Sequence, residues 1–196
     1  MKRVLTAFLF VGLIGSARAA SASNIVLNPG FETGDFTDWT QFGNIGYTYV
    51  ETLHNGPLSG TYSAEFGPVG STGGISQDLP TSNGSSYDLS FSLANQGSPN
   101  EVDIFWNGGQ IFGPVSLPNQ AYVQYVFPGL LATGSSTNLS LAFRNDPNWI
   151  GLDDVSVVSV DRQAAPVAPV PEPVSLLLFG TGLAGAGVRR WRKARG

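Results

Sequence analysis

Between residues 23 and 160, apolar and polar residues alternate with a period of two, the spacing of a β-strand with one buried face. Residues 87–93, YDLSFSL, show it most clearly, and no long run follows the 3.6-residue period of an amphipathic helix. The dipeptide at 107–108, Asn-Gly, is typical of a two-residue hairpin turn. The pattern predicts strands at residues 25–27, 47–52, 62–66, 74–79, 87–93, 102–106, 111–115, 122–127, 139–143 and 155–160. We therefore expect an all-β fold, an antiparallel β-sandwich or jelly roll of about nine or ten strands.

Two apolar runs lie outside this pattern, one near each end of the chain. The first, at residues 4–14, follows a short basic segment and precedes small residues of the form A-x-A, which is the arrangement of a secretory signal peptide. It is too short for a membrane anchor, the alternative, because a spanning helix takes about 20 apolar residues. We therefore expect a signal helix within residues 1–22, one exported domain at 23–160, and an extended Pro/Ala/Val linker at 161–170.

The second apolar run, residues 174–188, lies between the triplet Pro171-Glu172-Pro173 and a basic cluster. As a helix it would be about 22 Å long, against roughly 30 Å of bilayer hydrocarbon. Basic residues next to a membrane helix stay in the cytoplasm, so we expect a single-pass inner-membrane protein with its domain outside. The cluster consists of Arg189, Arg190, Arg192 and Lys193.

This three-part tail resembles the PEP-CTERM sorting signal of Gram-negative bacteria in the order and spacing of its parts. The resemblance implies that residues 171–196 are read by an exosortase, a membrane enzyme that removes the helix and delivers the protein to the cell surface or beyond. It also implies a link with exopolysaccharide production. An ordinary C-terminal membrane anchor is the alternative, and it would leave the helix attached.

Charge changes the picture of possible partners. Between residues 24 and 160, twelve Asp and Glu residues stand against one base, Arg144, which gives a net charge of −11. A domain this acidic has no basic surface for phosphate groups, so we exclude nucleic acid as a partner. The chain has no cysteine and one histidine, His54, which excludes thiol nucleophiles, Cys-ligated zinc and clusters of histidine ligands.

No motif for catalysis is present. The sequence lacks G-x-S-x-G, H-E-x-x-H and a phosphate-binding loop. Nothing selects a glycosidase pair from the twelve acids, most of which are expected on a solvated surface. Residues 180–185 match G-x-G-x-x-G, but without the strand and the acidic residue of a dinucleotide site. We therefore expect no catalytic residues, no organic cofactor and no enzymatic activity.

A second resemblance rests on two segments of the predicted domain. Residues 27–39 read LNPGFETGDFTDW and residues 148–157 read NWIGLDDVSV. This pair is similar to the galactose-binding-like jelly rolls, which include several families of carbohydrate-binding modules. The resemblance implies one structural calcium ion, held by the Gly30 carbonyl, Glu32 and an aspartate of the final strand.

The aspartate is either Asp153 or Asp154. In a jelly roll of this kind the first and last strands are neighbours, so both should lie near Glu32. Carboxylates that converge repel one another unless they are protonated or bridged by a cation, and calcium binds six to eight oxygens. Alternation along the final strand places Asp153 with Val155 and Asp154 with Leu152, which leaves both as candidates. In the alternative, Glu32 caps a turn and an aspartate faces solvent.

Three aromatic residues are candidates for contact with a sugar. Tyr47 and Tyr49 lie two residues apart, on one face of a predicted strand, and Trp149 precedes the last strand. Trp39 and Trp106 are expected in the core. The alternative for the three candidates is also burial, since a core face has the same spacing.

These observations predict a non-enzymatic exported protein of the cell surface or extracellular matrix, with a structural or adhesive role linked to exopolysaccharide. The alternative is a carbohydrate-binding module with a defined sugar ligand. The expected partners are an exosortase, extracellular polysaccharide, and the membrane through the C-terminal helix before processing.

Overall fold

The computed structural model describes residues 23–160. The predicted signal peptide, linker and sorting tail, with its helix at 174–188, lie outside the described residues. Residues 23–160 contain no helix that is long and apolar enough to cross a membrane. They form ten strands: β1 (Thr40–Gly43), β2 (Thr48–Glu51), β3 (Ser63–Phe66), β4 (Gly73–Pro80), β5 (Ser86–Asn95), β6 (Asn100–Trp106), β7 (Gly109–Val115), β8 (Gln120–Leu131), β9 (Ser136–Asn145) and β10 (Ile150–Val160).

The strands form two five-stranded antiparallel sheets. The first sheet has the order β1-β4-β9-β6-β7 and the second has the order β2-β3-β10-β5-β8. The all-β sandwich predicted from the period-two pattern is confirmed. Five loops pass from one sheet to the other at the same end of the sandwich, which we call the loop end: residues 44–47, 67–72, 96–99, 116–119 and 146–149.

The core between the sheets is rich in aromatic side chains. Phe66 on β3 and Phe143 on β9 stack with their ring centroids 4.3 Å apart and so join the two sheets. Trp39 and Trp106 are buried, as expected. Their indole N–H groups donate to main-chain carbonyls, at 3.1 Å for Trp39 and 2.9 Å for Trp106.

The turn at Asn107-Gly108 is confirmed as the connection of a β-hairpin. It joins β6 to β7, and its two residues have φ values of 50° and 78°. A type I′ turn needs positive φ at both central positions, which asparagine and glycine tolerate best.

The first predicted strand, residues 25–27, is wrong. Ile25 N–H does bond to the Val157 carbonyl of β10 at 2.9 Å, but regular pairing stops there. The Gln77 side chain instead accepts from the main-chain N–H of Leu27 at 2.9 Å and donates to its carbonyl at 3.0 Å. Both main-chain groups of this residue are therefore bonded to a side chain. The first strand is β1, whose sequence TQFG carries no clear alternation.

Candidate functional site

Main-chain hydrogen bonds hold the loops of the loop end together. The Gly67 N–H donates to the Tyr47 carbonyl at 2.7 Å, and the Gln96 N–H donates to the Trp149 carbonyl at 3.0 Å. These bonds connect loops that are distant in sequence. The side chains on these loops are consequently placed by a rigid scaffold, the usual arrangement for a binding site built on loops.

Four rings meet at this end in what we call the aromatic cluster: Tyr47, Tyr49, His54 and Trp149. The Trp149 ring is central, with centroid distances of 6.3 Å to Tyr47 and 5.8 Å to Tyr49. His54 stacks on the indole at 3.8 Å, and its Nδ1 contacts the Glu51 carboxylate. Tyr47 and Tyr49 are 58% and 48% exposed, whereas Trp149 is half-buried. The three aromatic residues predicted separately from the sequence therefore lie together at the surface.

A cleft of about 270 Å³ opens beside Trp149. Within residues 23–160, the side chains of Tyr47, Asn148 and Trp149 make no hydrogen bond. The hydroxyl of Tyr47, the indole N–H of Trp149 and the side-chain amide of Asn148 are therefore available to bond a ligand. The cleft is lined by Tyr47, Gly67, Val69, Pro147, Asn148 and Trp149.

The backbone near the cluster is locally strained. Tyr47 has a φ of 56° and His54 a φ of 46°, a region that side chains with a Cβ rarely adopt. Gly67 leaves room for the Trp149 ring, because a Cβ there would lie 3.2 Å from it, a tight contact that would displace the ring slightly. Strained residues of this kind are often found at functional sites.

A loop of residues 52–62 covers part of the outer face of the second sheet and carries His54 to the aromatic cluster. It is anchored by Glu65 of β3, whose side chain is fully buried. Asn55 donates to this carboxylate from its main-chain N–H at 3.2 Å and from its side-chain amide at 2.8 Å. Burial raises the pKa of Glu65 from 4.5 to about 7, and the nearby charge of Glu51 acts in the same direction.

Asp153 is the second anchor of the same loop and is also fully buried. Its Oδ2 accepts from the N–H groups of Leu58 at 2.9 Å and Ser59 at 3.1 Å, and its Oδ1 accepts from the N–H of Asp154 at 2.7 Å. Burial raises the pKa of Asp153, while these hydrogen bonds oppose the shift. Asp153 and Glu65 are exceptions to the expectation that most acids lie on a solvated surface, because the loop covers them.

The residues predicted to hold calcium lie near one another. A Cβ on Gly30 would stand 3.5 Å from Oδ1 of Asp153 and 3.9 Å from Oδ1 of Asp154. The Glu32 carboxylate is engaged elsewhere, since it accepts from the N–H groups of Thr61 and Tyr62 at 2.9–3.1 Å. In residues 23–160, no group of three or more His, Asp or Glu side chains is arranged to hold a metal ion.

The alternation expected along the last strand is wrong at the two aspartates. The pairing register of β10 with β5 shifts between Asp153 and Ser156, which marks a β-bulge. Asp154 is exposed and has a φ of 54°. One extra residue resets the parity, so Leu152 and Val155 both face the core.

The outer face of the first sheet is a second surface, which the sequence analysis missed. Phe42 on β1 and Phe105 on β6 are half-buried and absent from the core. In the register of the sheet, small residues of β4 and β9, such as Ser76 and Ser140, lie between the two strands. Alternation of Phe105 with the buried Ile104 could have identified this face.

The PEP-CTERM protein-sorting motif matches residues 169–193. The chain therefore carries a C-terminal sorting signal and is an exported protein, as predicted. No curated protein sequence matches it significantly.

Several solved structures share the fold. TmCBM61 in complex with β-1,4-galactotriose has a TM-score of 0.61 and 18% identity, over 71% of this chain and 100% of the other. The CBM22-1 xylan-binding domain of Paenibacillus barcinonensis Xyn10C has a TM-score of 0.54 and 22% identity, over 72% and 98%. A family 16 carbohydrate-binding module has a TM-score of 0.50 and 18% identity, over 69% and 99%. The domain therefore has the jelly-roll fold of carbohydrate-binding modules.

Proposed function

We propose that residues 23–160 form a non-enzymatic carbohydrate-binding domain that works outside the cytoplasm and binds a glycan through the aromatic cluster. The observation that carries the proposal is the meeting of two exposed tyrosines, Tyr47 and Tyr49, with Trp149 beside an open cleft. Of the two functions expected from the sequence, the geometry favours the carbohydrate-binding module.

The chemistry of the cluster suits a sugar. One face of a pyranose ring consists of C–H groups that pack on an aromatic ring, while its rim of hydroxyls needs hydrogen-bond partners. Tyr47 supplies both a ring and a hydroxyl, and Asn148 adds an amide that can donate and accept. A cleft of about 270 Å³ lies just below the usual size of small-molecule pockets, about 300–1,000 Å³, and suits a single sugar unit.

The sorting signal supports an extracellular site of action. A PEP-CTERM motif implies processing by an exosortase, and the structural neighbours are named as carbohydrate-binding modules. We propose that the C-terminal helix is removed in the mature protein and that the domain has an adhesive role, attaching to exopolysaccharide at the cell surface.

A glycan array followed by titration calorimetry tests the binding site. We expect the exported protein to bind at least one glycan, and Trp149→Ala and Tyr47→Ala each to weaken that binding about 30-fold or more, as for aromatic hot spots elsewhere. Phe105→Ala is the matched control, because it removes an aromatic ring from the other sheet and should leave affinity unchanged. Loss of binding with Phe105→Ala alone would place the glycan on the first sheet. A flat array would overturn the proposal.

We also propose that one structural calcium ion binds beside Gly30, with Asp153 and Asp154 as its carboxylate ligands. In residues 23–160, the two ion pairs are His54–Glu51 and Arg144–Asp146, so no basic side chain balances these aspartates. The two negative charges and their oxygen atoms suit calcium. Glu32 could join as a ligand only by giving up its hydrogen bonds from the main-chain N–H groups of Thr61 and Tyr62.

The stability of the protein in calcium and in EGTA tests the ion. Calcium at 100 times its dissociation constant should stabilise the folded state by about 2.7 kcal/mol and raise the melting temperature. Asp154→Ala, which removes an exposed ligand, should abolish that increase. Identical melting temperatures in calcium and EGTA would exclude the ion.

A further inference from the structure

The charges around the aromatic cluster select the class of glycan, an inference that rests on the proposed function. Two carboxylates border the cluster. Glu51 contacts His54, which stacks on Trp149. Asp146 immediately precedes Pro147 of the cleft, and its Oδ1 accepts from the Gly70 N–H at 3.0 Å.

No Lys or Arg side chain is left free to bind an acidic sugar within the part of the chain that the structure describes. The one Lys or Arg residue there, Arg144, is bound through Nε and Nη2 to Oδ2 of Asp146, at 2.7 and 2.5 Å. This bond lowers the pKa of Asp146, which therefore stays ionised.

The donors that the cleft offers are all uncharged. They are the hydroxyl of Tyr47, the amide of Asn148 and the indole N–H of Trp149, none of which is hydrogen-bonded within residues 23–160. Neutral donors suit sugar hydroxyls, whereas recognition of a carboxylate, sulfate or phosphate relies on Arg or Lys.

We infer that the aromatic cluster binds neutral polysaccharide and rejects polysaccharide that carries carboxylate groups. A uronic acid in the cleft would lose water from its carboxylate without gaining a free cation, and it would approach the Glu51 carboxylate of a domain whose net charge is −11. Like charges at an exposed surface repel one another, and this repulsion weakens as salt screens it. Discrimination between neutral and carboxylated glycan therefore depends on charge repulsion as well as on the shape of the cleft.

Matched polysaccharide pairs test the inference. The probes are β-1,4-galactan with its C6-oxidised form, hydroxyethylcellulose with carboxymethylcellulose, and unsubstituted xylan with glucuronoxylan, measured by affinity electrophoresis of the exported domain. At about 20 mM salt we expect the neutral member of a pair to bind about tenfold more tightly than the carboxylated member. At about 500 mM salt this ratio of affinities should narrow, because salt screens the repulsion.

Two variants separate local charge from total charge. Glu51→Gln removes a carboxylate next to the cluster and should narrow the ratio of neutral to carboxylated binding. Asp78→Asn removes an exposed carboxylate from β4, at the opposite end of the first sheet, and should leave that ratio unchanged. Equal or tighter binding of the carboxylated members, or a ratio that neither salt nor Glu51→Gln changes, would overturn the inference and leave glycan binding intact. If no member of any pair binds, the proposed function fails and the inference fails with it.

Discussion

Replacing Asp153 with alanine should lower the free energy of unfolding by about 4 kcal/mol. The fully buried carboxylate accepts three main-chain N–H groups, those of Leu58, Ser59 and Asp154. Alanine would leave these donors without partners, and each buried unsatisfied donor costs about 1–3 kcal/mol. The expected loss is smaller than the sum of three such costs, because water can reach some of the N–H groups once the carboxylate is gone.

Urea unfolding in EGTA measures this loss without a contribution from calcium. Asp154→Ala is the matched control, since Asp154 is exposed and its carboxylate bonds to the hydroxyl of Ser59 at 2.7 Å. We expect it to cost about 1 kcal/mol, from the lost bond to Ser59 and from the positive φ that alanine adopts less readily than aspartate. Asp153→Asn should fall between the two alanine variants, because one amide oxygen can still accept from the loop. Equal effects of the two alanine substitutions would contradict an anchoring role for Asp153.

Replacing Glu65 with glutamine should remove a pH dependence of stability worth about 3 kcal/mol. The pKa of Glu65 rises from 4.5 to about 7 in the folded protein, so between these values the folded state binds a proton that the unfolded state has lost. Its contribution to stability is thus fully present below pH 4.5 and is lost as the pH rises through 7. A difference of about 2.5 pKa units corresponds to about 3 kcal/mol.

Urea unfolding from pH 4.5 to 8 tests this prediction by comparison of the variant with the wild type. As the pH rises, the wild type should lose about 3 kcal/mol of unfolding free energy relative to Glu65→Gln. Other groups titrate in both proteins and cancel in that difference. Asp78→Asn, at an exposed position on β4, controls for the loss of one negative charge. Parallel profiles of Glu65→Gln and wild type would show that burial does not control this carboxyl.

Local sequence predicted much of the sandwich because strands and tight turns follow from near neighbours. Alternation located nine of the ten strands, and the turn at Asn107-Gly108 needed only two residues that tolerate positive φ. β1 was missed because its sequence, TQFG, gives no alternation, and its pairing with β4 depends on a strand thirty residues away.

Alternation could not resolve the two adjacent aspartates. A β-bulge adds one residue at Asp154, and this resets the parity of the strand. Glu65 presents a related case, because its position on the outer face predicts exposure. The structure buries it under the loop of residues 52–62, and contacts between distant segments are invisible to a local pattern.

The sequence by itself determined the export signal, the acidic charge of the domain and its all-β class, since each depends on composition or on short-range order. It also selected Tyr47, Tyr49 and Trp149 as candidates, but it could not separate a surface cluster from a core. Only the tertiary structure decided that these rings share one end of the sandwich, because that end is assembled by loops crossing between sheets. The same folding places Glu51 near the rings and pairs Arg144, the one Lys or Arg residue within residues 23–160, with Asp146.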